Sequence, residues 1–422
     1  MRLSLGIDIG TSGIRTAIID MSGEPISMMR VNHRKQNPDF IKASYWWSSV
    51  RDCIRMQLEH LEKINISPKK ISHIAVDGTS GSMVLTDSNL TPVTRALMYN
   101  SKGFEAEASI IEKFAPSTHI TRGSSSALGR AMRLISEDKL NRSNYLLHQA
   151  DFIACNLLGC GGFSDHNNAL KLGYDPELNS WPNWIQNVID KSLLPDVRPV
   201  GSLLGKISLE VADSLGLPKT AQIYAGTTDS IAAFFATAPL KNGNAVTSLG
   251  STLAIKVLSK TRIDDPEIGL YSHRIGDAWL VGGASNTGGA VLANFFTQDE
   301  LKNLSNNIDT STHTGLNYYP LLNKGERFPI NNPNLEPQMS PRPTSKTVFL
   351  KAIFEGIADI EAKCYESIKL RGGQFPDKIY TAGGGAKNQT FTNIRANCLG
   401  VKLSQAQHSE AAIGVARIAL LE

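Results

Sequence analysis

Long hydrophobic runs are missing from this 422-residue chain, and no window approaches the roughly 20 uninterrupted apolar residues that a membrane helix needs. The N-terminus also lacks a basic region, apolar core and small-residue cleavage site, and runs straight into an apolar strand carrying Asp8. Together these absences predict an unexported, cytoplasmic protein with no membrane partner. Cysteine is scarce: Cys53, Cys155, Cys160, Cys364 and Cys398 are scattered, and no second pair joins Cys155 and Cys160 to complete a zinc pattern. Reduced thiols are the expectation. The nine histidines form no H-E-x-x-H or comparable spacing, so no transition metal is assigned. An excess of one charge sign is absent too. With 43 basic and 39 acidic residues dispersed along the chain, the net charge is +4, which argues against a nucleic-acid partner. Nothing in the sequence speaks to oligomeric state.

What is present is a globular composition, 41% hydrophobic and 19% charged, at a length that suits two domains rather than one core. The first strand ends in Gly6-Ile7-Asp8-Ile9-Gly10-Thr11-Ser12-Gly13, an embedded acid followed by a small-residue turn. Such a turn exposes backbone N–H groups and hydroxyls without bulk, which suits a polyphosphate. Asp8 cannot attract phosphate, so its carboxylate is expected to face the hydrated Mg²⁺ that accompanies ATP. The plainer reading is a hairpin whose turn does nothing more, since 16–20 reads as a return strand. A partial echo at Ala245-Val246-Thr247-Ser248-Leu249-Gly250-Ser251-Thr252, followed by another strand at 253–257, favours two phosphate-gripping turns over coincidence.

Between these turns, 43–61 reads as a helix with Trp46 and Trp47 packing near its start, and 71–76 as a buried strand running into Asp77-Gly78-Thr79-Ser80-Gly81-Ser82. Ligands in open α/β sheets lie beyond the carboxyl ends of strands, so Ser80 and Gly81 are candidate substrate contacts. The loop lacks the G-x-S-x-G spacing of a hydrolase elbow. Nor does Gly283 to Gly289 carry a P-loop lysine, and no G-x-G-x-x-G opens the first helix. The middle, 105–218, is expected to be helical with irregular insertions, and Asp165 to be an ordinary solvated carboxylate. A strand at 221–225 then delivers Gly226-Thr227-Thr228-Asp229-Ser230 to an apolar helix at 231–236. Two readings of Asp229 stand side by side: a helix N-cap, shared with Thr228, or a general base that accepts a proton from an attacking hydroxyl. Near the end, a strand at 378–382 leads into a glycine triplet that lets a flat ring or ribose approach the backbone, and Asn388 is placed to cap the next helix while bonding a nucleotide.

This set of loops resembles the FGGY family of carbohydrate kinases, from the Asp8 loop through Gly226 to Ser230, Ser248 to Thr252, Phe354 to Ala358 and Thr381 to Asn388, over nearly the whole chain. The resemblance implies an α/β fold of two ribonuclease-H-like (actin/hexokinase-type) domains, 1–238 and 239–422, with a nucleotide cleft between them, and a kinase using ATP and Mg²⁺ on a small-molecule sugar. It further implies that Asp8 positions the magnesium, through water, and touches substrate; that Gly10, Thr11 and Ser12 line the first phosphate loop and Gly250, Ser251 and Thr252 the second; and that Asp229 is the catalytic base. Gly384, Gly385 and Asn388 match the turn bordering adenosine, with Phe391 one helical turn on, where an aromatic can flank the base.

One departure stands out. Many relatives carry an aromatic-x-acid-x-Arg element that grips sugar hydroxyls, where this chain has Tyr99-Asn100-Ser101-Lys102-Gly103, without the acid or the arginine. The 76–82 and 96–100 segments are similar to a ribulose/xylulose-kinase-like subgroup of photosynthetic organisms, which implies D-ribulose before D-xylulose or a glycerol-type polyol. The rival class is a regulatory nucleotide binder that kept the ATP loops and lost sugar turnover.

Overall fold

The computed structural model describes residues 2–33 and 41–421. Two compact units emerge, one formed by Met1–Ala236 with Glu410–Glu422, the other by Thr237–Ser409. Among the described residues, no helix is long and apolar enough to cross a membrane.

The first unit contains β1 (Leu3–Ile9), β2 (Gly13–Asp20), β3 (Pro25–Asn32), α1 (Ser44–Lys63), β4 (Ile71–Gly78), β5 (Met83–Thr86), α2 (Glu105–Phe114), α3 (Ala127–Glu137) and β6 (Tyr145–His148). It continues with α4 (Gln149–Leu158), β7 (Phe163–Asp165), α5 (His166–Ala169), β8 (Asp196–Arg198), β9 (Leu203–Lys206), α6 (Leu209–Leu215), β10 (Gln222–Thr228) and α7 (Asp229–Thr237). Its main sheet runs β3-β2-β1-β4-β10-β9. β1 is buried at every position and lies parallel to β4, as a continuous apolar run in a covered central strand should. On α1 the residues facing inward, Trp46, Val50, Cys53, Ile54, Leu58 and Leu61, recur at three- and four-residue spacing. Trp46 meets the edge of Phe152 at 6.3 Å between ring centroids, the packing role expected of it.

The second unit contains β11 (Asn244–Leu249), β12 (Leu253–Ser259), β13 (Tyr271–Ile275), β14 (Ala278–Ser285), α8 (Gly289–Phe295), α9 (Gln298–Ser305), α10 (Lys346–Leu370), β15 (Lys378–Ala382), α11 (Gln389–Leu399) and β16 (Lys402–Gln405). Its sheet runs β13-β14-β12-β11-β15-β16. The plan of the first unit repeats here: an antiparallel hairpin opens the sheet, a further antiparallel strand joins the second member, and two parallel strands follow the first. In both sheets the turn between the first two strands is a glycine–hydroxyl loop.

The structural division falls two residues before the expected 238/239 boundary, and the last helix, α12 (Ala411–Ile418), packs in the first unit rather than with 239–409. Small residues make that return. A Cβ on Gly6 would stand 1.9 Å from the Ala412 carbonyl oxygen, and one on Gly414 would stand 1.7 Å from that of Ala232. Backbone therefore meets backbone where β1 and α7 receive α12, around the apolar contacts of Ala17, Ile19, Ala236, Ala412, Ile413 and Ala416.

The 105–218 region is helical in part, as expected, but its irregular pieces include short strands β6 to β9. Asp165 is a correction. It is 3% exposed, caps α5 by accepting the N–H groups of Asn167 and Asn168, and accepts the Asn168 amide at 2.6 Å. A short strand, β7, paired with β8 carries it there, a placement that a three-residue segment after two glycines does not advertise.

Candidate active site

In the first unit the carboxyl ends of three adjacent parallel strands gather three acids. β1 carries Asp8 directly opposite Asp77 of β4, while β10, paired to β4 with Thr228 beside Gly78, ends just before Asp229. Asp8 is 3% exposed and accepts a hydrogen bond from Arg15 Nη1 at 3.0 Å; the same guanidinium reaches Glu410 at 3.4 Å. Burial pushes the Asp8 carboxyl above its ordinary range, with Arg15 opposing. Asp77 is fully buried, and neither of its carboxyl oxygens has a hydrogen-bond partner among the described residues. Burial first, then the charges of Asp8 and Asp229, push its carboxyl well up. Asp229 opens α7 and is partly exposed, with Oδ1 accepting the Ser230 N–H at 2.6 Å. That contact serves the helix start, while Thr228 Oγ1, the other expected cap, is buried without a partner among the described residues.

The first loop is held from outside. Gly10 N donates to Gly13 O at 2.9 Å, the His33 ring Nε2 bonds the Gly10 carbonyl at 2.9 Å, and His33 N donates to Ser12 O at 3.0 Å. Burial pulls the His33 ring down, which suits a neutral imidazole donating from Nε2. Thr11 and Ser12 are exposed, and among the described residues their N–H groups have no protein acceptor. Anion-accepting donors are thus left open beside the acids. The second unit repeats the device: Gly250 N donates to Thr252 O at 3.1 Å, and Gly250, Ser251 and Thr252 are all exposed.

Beneath that second loop lies an enclosed ion pair. Arg395 on α11 and Glu361 on α10 are both fully buried, joined by bonds of 2.6 and 2.7 Å. The pair extends to Thr247 of β11, whose hydroxyl donates to Glu361 at 2.5 Å, and to Thr381 of β15 at 3.0 Å. It ties the strands that deliver Gly250 and the glycine triplet. A Cβ on Gly384 would meet nothing within 4 Å, leaving that backbone open to a ligand, whereas one on Gly385 would meet the Leu249 side chain at 2.8 Å. Gly385 therefore also serves packing.

Two residues beyond the triplet differ from expectation. Phe391 is 2% exposed and stacks on Phe354 at 4.5 Å with 14° between planes, so its ring belongs to the core that holds α11 to α10 and does not flank a base. Asn388 caps α11 by accepting Phe391 N at 2.9 Å, as expected, but its amide nitrogen donates to Ser305 at 2.8 Å. Both ends of its side chain are spent within the protein.

Ser80 and Gly81 lie where expected, past the end of β4, in a loop braced by Gln149: its Oε1 accepts from Thr79 N at 3.1 Å and Thr79 Oγ1 at 2.7 Å. Sequence reasoning passed over Asp77, Arg15 and Arg130. The signal for Asp77 was the one that exposed Asp8, an acid set at the end of an apolar strand. Arg15 falls on the return strand, where alternation alone reads it as solvent-facing.

Residues 3–128 match the FGGY family of carbohydrate kinases, N-terminal domain, and residues 245–422 match the C-terminal domain of the same family. A xylulose kinase of Staphylococcus epidermidis is 23% identical over 96% of this chain and 85% of its own length. Among solved structures, the xylulose kinase from Rhodospirillum rubrum superposes with a TM-score of 0.85 at 20% identity, covering 99% of this chain and 89% of that one. Plasmodium falciparum glycerol kinase with ADP gives 0.83 at 16% identity, covering 99% and 89%. The duplicated sheet, the paired glycine–hydroxyl loops and these matches across both halves make the chain a member of the FGGY family of carbohydrate kinases.

Proposed function

We propose that this carbohydrate kinase transfers the γ-phosphoryl group of ATP to a primary hydroxyl of a small ketose, with D-ribulose the leading acceptor. The observation that carries the reading is the convergence of Asp8, Asp77 and Asp229 beside a loop whose N–H groups are open. In the first unit, Thr11 and Ser12 would receive the transferring phosphoryl oxygens, and Ser80 and Gly81 would contact the sugar. Asp229 takes the proton of the sugar hydroxyl as its oxygen bonds to the γ-phosphorus and the bond to the β,γ-bridging oxygen breaks, releasing ADP and the sugar phosphate. Arg15, held between Asp8 and Glu410, would supply positive charge toward the negative charge developing on the phosphate oxygens. In the second unit, Gly250, Ser251, Thr252 and the open backbone at Gly384 would hold the nucleotide.

Magnesium fits the first unit by chemistry. Asp8, and Asp77 once ionised, offer hard oxygen donors, and among the described residues no group of three such side chains closes on one point. That arrangement suits an ion that keeps several waters and is shared with phosphate. When bound, magnesium neutralises charge on the β- and γ-phosphate oxygens.

D-Xylulose is the second reading, favoured by the names of relatives such as the Staphylococcus epidermidis and Bacillus subtilis xylulose kinases. ADP release with Mg·ATP across D-ribulose, D-xylulose and glycerol, with Asp229→Ala as control, decides. Stimulation by one acceptor that vanishes in the variant supports the kinase and names its substrate; slow release indifferent to every acceptor refutes it.

A further inference from the structure

Helix α3 carries a cation that the phosphoryl-transfer chemistry leaves without a task. Arg130 is 4% exposed, yet no carboxylate among the described residues pairs with it. Its bonds go to main-chain carbonyls instead: Nε donates to Gly81 at 2.9 Å and Nη1 to Ser125 at 3.0 Å. A guanidinium has five N–H groups, and among the described residues those on Nη2 find no protein acceptor. Nη2 keeps access to solvent beside the Ser80–Gly81 loop, 2.8 Å from where a Cβ on Gly81 would stand. The contrast on the same helix is sharp, because Arg133 pairs with Glu107 through both Nε and Nη2.

A buried guanidinium without a carboxylate is costly unless its donors are used. Burial pulls the Arg130 pKa down to about 10, which leaves it cationic at neutral pH. The unspent donors point to a ligand oxygen at the Ser80–Gly81 loop. Gly81 and Asp229 lie three residues and one residue past the paired rung of β4 and β10, where Thr228 sits beside Gly78. Both therefore follow the carboxyl ends of neighbouring parallel strands, so an acceptor held at Asp229 would lie at the same edge of the sheet as the Arg130 contact with Gly81.

We propose that Arg130 reads the carbonyl oxygen of a ketose, and so selects a ketose over the alditol of the same carbon count. This rests on the kinase reading above and deepens it. A carbonyl oxygen only accepts, so a cationic N–H pair meets no competing donor, whereas the hydroxyl that replaces it in an alditol is a weaker acceptor carrying a proton of its own.

The test compares kcat/KM for D-ribulose against ribitol, and D-xylulose against xylitol, in the wild type, Arg130→Met and Arg130→Lys, with thermal melting as the control for folding. The wild type should favour the ketose of one pair by roughly ten- to a hundredfold, the range of a hydrogen bond to a charged group. Arg130→Met should erase most of that preference through KM for the ketose, leaving the alditol within about threefold, and Arg130→Lys should recover part of it. An equal loss for ketose and alditol overturns the inference in favour of a packing role. A wild type that uses ribitol and xylitol as well as the ketoses overturns it without any variant, and so does preference for D-ribonate over D-ribulose. If no acceptor stimulates ADP release at all, the kinase reading itself falls, a result distinguishable from an unchanged ketose-to-alditol ratio.

Discussion

Replacing Arg395 with methionine should strand the Glu361 carboxylate in the core of the second unit. Both side chains are fully buried, Arg395 supplies two of the bonds to Glu361, and only the Thr247 hydroxyl would remain as a donor to it. Removing one partner of such a pair costs about 3–5 kcal/mol, because an uncompensated charge stays behind. For a unit of this size that corresponds to a fall of roughly 6–20 °C in melting temperature. Of the five tryptophans, Trp279 alone belongs to the second unit, so its 5-fluorotryptophan resonance reports that unit's unfolding in urea. The double variant Arg395→Met/Glu361→Leu removes both charges and should regain most of the loss. Since Thr247 and Thr381 tie this pair to the strands that deliver Gly250 and Gly383, the single variant should also raise KM for ATP. A loss below about 1 kcal/mol in the single variant, or a double variant no more stable than the single, would refute the argument that a stranded charge sets the cost.

Asp229→Asn should retain ATP binding, measured by calorimetry, while phosphoryl transfer falls roughly a hundredfold or more, the scale of a general base; near-normal turnover sinks the assignment. Asp8→Asn should shift the magnesium titration of ADP release to higher concentration, and an unchanged midpoint removes Asp8 from the metal's side of the site. Asp165 supplies a pH signature: burial and the neighbouring Asp151 charge push its carboxyl up to about 7. Between roughly pH 4 and that value the folded protein holds a proton the unfolded chain has released, so this contribution to stability is lost as pH rises through the interval. Urea midpoints across that range should flatten in Asp165→Asn, and an unaltered slope would contradict it.

The parts of the fold legible in the sequence were those where one local rule acted alone. β1 and β4 are covered on both faces and read as apolar runs with an acid at the end; the α1 stripe reads as three- and four-residue spacing; the glycine–hydroxyl loops read as turns. The site was legible to the extent that it sits on those turns. What stayed hidden was set by long-range partners. Phe391 has the composition of a base-flanking aromatic, and only the approach of Phe354 from α10 makes it core. Asn388 was readable as a cap but not as Ser305's partner, 83 residues away.

Arg130 and Asp77 show the same limit from the functional side. In sequence they are an arginine in the first turn of a helix and an acid before a glycine. In the fold Asp77 is fully buried with both carboxyl oxygens unpartnered among the described residues, and Arg130 is largely buried with Nη2 bonded to no described protein group. Burying unpartnered acceptors and taking a guanidinium largely out of water without a counter-charge both cost stability, and a core selected for stability alone would have paired these groups or replaced them with apolar ones. Here the two kinds of unspent group lie on one strand and the loop that follows it: acceptors on Asp77 at the end of β4, donors on Arg130 against Gly81. A hydrated cation near the one and bare acceptor oxygens near the other would satisfy both, and the proposed pair of ligands, a phosphate donor with its magnesium beside a ketose, would supply them between them.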